Sequence, residues 1–179
     1  MNQTWPTGRS RHGGVDRVPL PGVAGALWLA GKRFVAPDPE AALAAVGADT
    51  MVCLCEDFEL ADRYPGYVEW LRSDERALWF PVADLHAPSP QAAVGLIGRI
   101  RPRLETGRTV LMHCGAGIGR AGTLAAALLI DLGQTLDSAL SVVAAARPMA
   151  GPEVGAQSEL LITLSSAAGL SGPPDRRPP

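Results

Sequence analysis

Residues 109–123 read TVLMHCGAGIGRAGT, and the fold turns on them. The run 109–113 is continuous in its apolar character rather than alternating, the pattern of a strand buried on both faces. A glycine-rich stretch follows, and 121–132 then carries apolar residues at helical spacing. Strand, glycine-rich loop and helix in that order build an anion site. Successive backbone N–H groups turn inward, and the helix N-terminus adds unspent donors and partial positive charge. Arg120 contributes a planar fork that grips two oxygens of a tetrahedral dianion. Gly115, Ala116, Gly117, Ile118, Gly119 and Arg120 are therefore the expected phosphate cradle. Cys114 stands at its floor, where amides, helix terminus and guanidinium are expected to lower the thiol pKa and hold a nucleophilic thiolate. The loop should bind phosphate and attack it. No lysine followed by a magnesium-binding hydroxyl closes the loop in the Walker manner, which disfavours ATP hydrolysis.

Outward from this segment, short apolar runs at 26–30, 50–55 and 77–82 read as further buried strands. Helical patterns lie at 38–46, with Asp38 as cap and Pro39 in the first turn, and at 90–104, with Ser89 as cap. Three more follow the last strand, at 121–132, 135–146 and 154–168. Strands alternating with helices predict a single α/β domain, a mainly parallel central sheet flanked by helices on both faces. Residues 1–20 lack hydrophobic periodicity and are expected to be a flexible N-terminal segment, 21–170 the ordered domain, and 171–179 a proline-rich disordered tail. Ligands of such sheets sit at the carboxyl ends of the strands. Three of the expected strands end in reactive residues: Cys55-Glu56-Asp57, Asp84 and His113-Cys114.

Composition narrows the function classes. A chain of 179 residues with 47% hydrophobic content supports one core. A net charge of -2 gives no basic excess for nucleic acid. The longest apolar run, 124–130, falls short of the ~20 residues that span a bilayer. Arg9, Arg11 and Arg17 precede no apolar segment, so no secretory signal and no membrane partner are expected, and the location expected is cytoplasmic. Three cysteines, Cys53, Cys55 and Cys114, do not make a disulfide scaffold. His12, His86 and His113 are scattered and no ligand pair completes a metal site, so neither metal nor organic cofactor is expected.

The run His113, Cys114, five residues and Arg120, with glycines at 117, 119 and 122, resembles the cysteine-dependent protein tyrosine phosphatases, especially the small dual-specificity type. That resemblance implies their fold and a phosphocysteine intermediate on Cys114. Residues 79–88, WFPVADLHAP, look like the family's acid loop, which implies Asp84 as general acid; His86 is the rival. Arg147-Pro148 with Gln157 downstream resembles the closing segment, in which a glutamine orients the hydrolytic water. His113 is implied as a residue that orders the loop.

One position departs from the family. The residue after the arginine is usually Ser or Thr, and here it is Ala121, which predicts a slow second step. The interval Gly-Ala-Gly-Ile-Gly carries no lysine, favouring one phosphate on a peptide, phosphotyrosine foremost, over a polyphosphorylated lipid. A phosphorylated protein or peptide is thus the expected partner; oligomeric state is not readable. The alternatives are a catalytically weak phosphotyrosine-binding module, a phosphatase for a non-protein phosphomonoester, and a sulfur transferase or arsenate reductase, the last two disfavoured by the Asp84 segment. Cys55 is a candidate redox partner of Cys114. Cys53 and Cys55, about 6.5 Å apart along one extended strand, are expected to be a poor pair, and for both the alternative is a buried core thiol.

Overall fold

The computed structural model describes residues 13–169. Five strands form one sheet in the order β1-β2-β5-β3-β4: β1 (Val15–Val18), β2 (Ala26–Gly31), β3 (Thr50–Cys53), β4 (Ala77–Trp79) and β5 (Thr109–Cys114). β2, β5, β3 and β4 run parallel, and β1 is antiparallel to β2 at the edge. The expected α/β architecture is the observed one. β5 lies between β2 and β3, which explains its unbroken apolar sequence.

Side chains alternate across the sheet with the two-residue period of a strand. Leu27, Leu29, Val52, Leu54, Val110, Met112 and Cys114 pack in one core with α4 (Pro90–Glu105), α5 (Gly119–Asp131), α6 (Leu136–Ala146) and α7 (Gly155–Ala167). Ala30, Met51, Cys53, Cys55 and Leu111 pack in a second core with α1 (Lys32–Val35), α2 (Pro39–Val46) and α3 (Pro65–Ser73). Asp38 caps α2 by accepting from Ala41 N at 2.9 Å, and Ser89 caps α4 by accepting from Ala92 N at 3.2 Å. α5 differs: Ile118 precedes it and offers no side-chain cap, so the first-turn amides remain available.

Several expectations need correction. Residues 1–20 are not uniformly loose, because β1 occupies 15–18 and Val18 is buried; a four-residue edge strand containing Asp16 and Arg17 leaves no periodicity to read. The strands expected at 50–55 and 77–82 end earlier, at Cys53 and Trp79. α1, a 3-10 turn at Asp57–Glu59 and α3 were not expected. α3 carried a signal nonetheless, with Pro65 in its first turn and a buried stripe of Tyr67, Val68 and Leu71. Residues 1–12 and the expected tail 171–179 lie outside the described residues. No helix among the described residues is long and apolar enough to cross a membrane.

Candidate active site

The chain leaves β5 at Cys114 and enters α5 at Gly119, so the four intervening residues must reverse within a short span. Gly117 makes this possible. Its φ is +75°, and a Cβ there would lie 2.3 Å from the Ala30 carbonyl oxygen. Gly122 permits a second close approach, since a Cβ would meet the Gly151 amide nitrogen at 2.3 Å. Arg147, fully buried, ties the loop from behind. Its Nε donates to the Gly117 carbonyl at 2.8 Å and Nη2 to the Ala116 carbonyl at 2.8 Å, while Nη1 pairs with Asp16 at 2.6 Å. With the Ala116 carbonyl held outward, the Gly117 amide of the same peptide faces the other way, and it and the Ala121 amide at the start of α5 work to lower the Cys114 pKa.

The pocket above this loop gathers Cys114, Gly115, Ala116, Gly119 and Arg120 with Asp84 and Leu85 from the acid loop. It also includes Lys32, Glu59 and Glu153, which sequence reasoning missed. Arg120 is buried and forked onto Glu59: Nη1 to Oε1 at 2.6 Å and Nη2 to Oε2 at 2.9 Å. Nη1 also donates to the Val82 carbonyl at 2.8 Å, and Nη2 pairs with Asp84 Oδ1 at 3.0 Å. Glu59 is aimed by its own 3-10 turn, where its carboxylate accepts from the Glu56 amide at 2.9 Å. Burial works to raise the Glu59 pKa, but hydrogen bonds from Arg120 and Glu56 and the charges of Arg120 and Lys32 hold it below the ordinary carboxylate value. Glu153 packs against the start of α5, its Oε2 only 1.8 Å from where a Cβ on Gly119 would stand.

Not every expected residue is placed as expected. Burial pushes the Cys114 thiol up, outweighing the lowering by the Ala121 amide, the Arg120 charge and the Gly117 amide, so the expected depression of its pKa is reversed in this arrangement. The physical reason is desolvation: the thiol is buried at the floor of the loop, and the Arg120 guanidinium above it is itself paired with Glu59 and Asp84. His113 is fully buried; its Nε2 meets the Tyr67 hydroxyl at 2.6 Å and its Nδ1 the Cys114 carbonyl at 3.3 Å. His86 lies outside the pocket lining, its Nδ1 on the Asp84 carbonyl at 2.7 Å. Gln157 is buried rather than solvated, and both ends of its amide are committed. Oε1 accepts from Glu153 N at 2.8 Å, and Nε2 donates to the His86 carbonyl at 3.1 Å. It thereby braces the segment that carries Asp84. Cys53 and Cys55 face the same side of the sheet, and their sulfurs lie within 4.8 Å of each other and of a His113 ring nitrogen, closer than the ~6.5 Å of the backbone spacing. Residues scattered in the sequence thus stand together here as three metal-ligating types.

A profile described as PTP-SAK, Swiss Army Knife protein, DSP-PTPase phosphatase domain, matches residues 28–158. The chain belongs to this dual-specificity-type phosphatase family. Tk-PTP, solved in its active form, is 30% identical, with a TM-score of 0.64 over 84% of this chain and 96% of that one. Kinase-associated phosphatase with its catalytic-site cysteine changed to serine shares the fold at 20% identity and TM-score 0.73, over 87% and 96% of the two chains. Human DUSP28 does so at 23% identity and TM-score 0.66, over 87% and 95%. No curated protein matches this chain. The phosphatase is thus assigned to a cysteine-based class, and its pocket contains the three residue types that class needs: a thiol, an arginine and an acid.

Proposed function

We propose that this phosphatase hydrolyses a single phosphomonoester on a protein or peptide, phosphotyrosine foremost, through a phosphocysteine at Cys114. The observation that carries the reading is one pocket holding Cys114 beneath helix-terminal amides, Arg120 at its side and the Asp84 carboxylate 3.0 Å from the guanidinium. An entering phosphate competes with Asp84 for Arg120. Cys114 attacks phosphorus as the thiolate, the form its amide donors and Arg120 favour, while the loop amides and Arg120 hold the equatorial oxygens. Asp84, two-thirds exposed and so free to turn, protonates the departing oxygen, a step worth ~10²- to 10⁴-fold. The same carboxylate then takes a proton from the water that releases phosphate from sulfur. His113 and Glu59 position the loop and Arg120.

Charge supports a monophosphate. Arg120 and Lys32 face three carboxylates, Glu59, Asp84 and Glu153, so a headgroup carrying further phosphates meets repulsion at the rim. Leu85, exposed and part of the lining, offers an apolar contact to an aromatic ring. Three free thiols support a reducing, cytoplasmic setting.

The test is hydrolysis of a phosphotyrosine peptide in reductant by wild type, Cys114→Ser and Asp84→Asn, with rapid-quench detection of phosphoenzyme and phosphoinositide vesicles as the competing substrate. Expected are no turnover with Cys114→Ser, a steep fall with Asp84→Asn, and preference for the peptide. Faster turnover of the lipid overturns the substrate assignment, and tight peptide binding without phosphoenzyme overturns the catalytic one.

A further inference from the structure

Beneath the phosphate loop, on the face of the sheet that packs against α2 and α3, the protein gathers a second set of reactive side chains. Cys53 ends β3, Cys55 follows two residues later, and His113 lies beside them in β5, paired in register with Cys53. One ligand atom from each lies within 4.8 Å of the others, and all three residues are fully buried. We propose that Cys53, Cys55 and His113 bind one thiophilic divalent cation of the zinc class.

Geometry is the first support. With metal–sulfur bonds of ~2.3 Å, ligand atoms in a tetrahedral site stand about 3.8 Å apart, so the cluster needs to close by no more than about 1 Å. Tautomer is the second. His113 Nδ1 faces the Cys114 carbonyl at 3.3 Å, and a proton there leaves Nε2 with its lone pair free to accept from Tyr67 O–H at 2.6 Å. A ligating histidine that donates its other nitrogen to a backbone carbonyl is the usual outer-shell arrangement of a metal site. Charge is the third. Two thiolates, a neutral imidazole and a divalent cation sum to zero, the only balance that a dry interior accepts at low cost. Two sulfurs and a nitrogen also reject magnesium and calcium, which demand oxygen. Tyr67, whose hydroxyl lies 2.6 Å from Nε2, supplies an oxygen for the fourth position.

Binding forms two metal–sulfur bonds, one metal–nitrogen bond and one bond to the neutral Tyr67 hydroxyl oxygen, breaks two S–H bonds and the Tyr67–His113 hydrogen bond, and releases two protons to solvent. Because the site is closed, uptake accompanies folding. The cation would fasten the end of β3 to the residue that precedes the nucleophile.

The full chain carrying Cys114→Ser, which removes the other accessible soft ligand, is refolded under a phosphine reductant with Zn²⁺ or Cd²⁺ and dialysed. Expected are one equivalent of retained metal, a cadmium–thiolate charge-transfer band, and two protons released per ion by calorimetry in buffers of different ionisation enthalpy. Cys53→Ala and Cys55→Ala, each added to that protein, should abolish the band. X-ray absorption of the zinc form should show two sulfurs at ~2.3 Å and nitrogen or oxygen at ~2.0–2.1 Å, and this decides the matter should the double variants not fold. Sub-stoichiometric uptake by Cys114→Ser, a band that survives loss of Cys53 and Cys55, or a shell without sulfur overturns the proposal.

Discussion

Replacing Arg147 tests whether the phosphate loop is shaped from behind. The side chain is fully buried, and its guanidinium makes two hydrogen bonds to loop carbonyls and an ion pair to Asp16, itself mostly buried. Arg147→Met removes these together with the bonds from Nη1 to the Gly13 and Gly14 carbonyls at 3.5 and 3.3 Å. Breaking a buried pair by deleting one partner costs ~3–5 kcal/mol, much of it from the charge left behind. Set against a typical domain stability of ~5–15 kcal/mol, the variant stays folded at 25 °C with a Tm lower by about 10 °C.

Stability alone does not distinguish a clamp from a core residue, so the deciding readout is anion affinity. Without Arg147 the Ala116 and Gly117 carbonyls are free to turn, and each that does withdraws an amide from the phosphate. Loss of one charge-assisted donor, ~1.5–3 kcal/mol, weakens phosphate or vanadate inhibition by about tenfold or more. Asp16→Asn is the control, since it removes the ion pair but leaves both loop hydrogen bonds in place. It should lower the Tm yet change anion inhibition by less than about twofold. Arg147→Met with wild-type anion affinity at a temperature where it is folded would refute the clamp, as would equal losses of affinity in the two variants.

Ala121→Ser supplies a hydroxyl beside the Cys114 sulfur and should speed phosphoenzyme decay by about tenfold in single-turnover experiments, the lower end of a hydrogen bond to a charged group. Gln157→Leu frees the His86 carbonyl and loosens the acid loop; kcat should fall more for phenyl phosphate than for 4-nitrophenyl phosphate, whose leaving group needs less protonation, and equal falls would count against a role through Asp84. Thr123 carries a buried hydroxyl with no hydrogen-bond partner among the described residues, so Thr123→Val should raise the Tm by a few degrees, about 1 kcal/mol. In the metal-free protein, peroxide oxidises Cys114 to the sulfenic acid, and attack by Cys55 with loss of water should give a Cys55–Cys114 disulfide on non-reducing peptide maps; maps without it refute the pairing.

What the sequence disclosed and what it hid differ in kind. The loop at 114–120 was legible because an anion site on a helix terminus is local: glycines, a thiol and an arginine within a few residues define it. The parallel core was legible for a similar reason, since buried strands such as β5 carry continuous apolar runs. Arg147, Glu59 and Tyr67 act across the fold, through contacts 31, 61 and 46 residues distant in sequence, and no short pattern marks them. The same holds for Cys53 and Cys55. Their spacing argued that the sulfurs stand apart, and it is the shared face of the two side chains and the register of Cys53 with His113 across β3 and β5 that bring the cluster together. Burial was likewise hidden, which is why the thiol pKa was misjudged: desolvation of Cys114 outweighs its amide donors and the Arg120 charge, and that cation is itself shared with two carboxylates.

That sharing bears on how the acid loop works. Val82 is fixed on one side, its amide on the Leu54 carbonyl at 3.0 Å and its own carbonyl on Arg120. His86 is fixed on the other, its carbonyl on Gln157 and its amide on the Ala83 carbonyl at 3.1 Å. Between the anchors stand Ala83, Asp84 and Leu85, and Leu85 adopts a φ of 56°, a left-handed conformation that costs a branched side chain ~1–2 kcal/mol. A bridge of three residues with one strained member has little room to travel as a unit. In the mechanism proposed above, Asp84 therefore changes partner by rotating its side chain, from the guanidinium to the leaving oxygen, while the anchors hold. The Glu59 carboxylate stays on Arg120 when Asp84 leaves, so the guanidinium keeps its orientation for the phosphate. Retention of one carboxylate and release of the other is what allows the same arginine to be neutralised at rest and to bind a dianion during turnover.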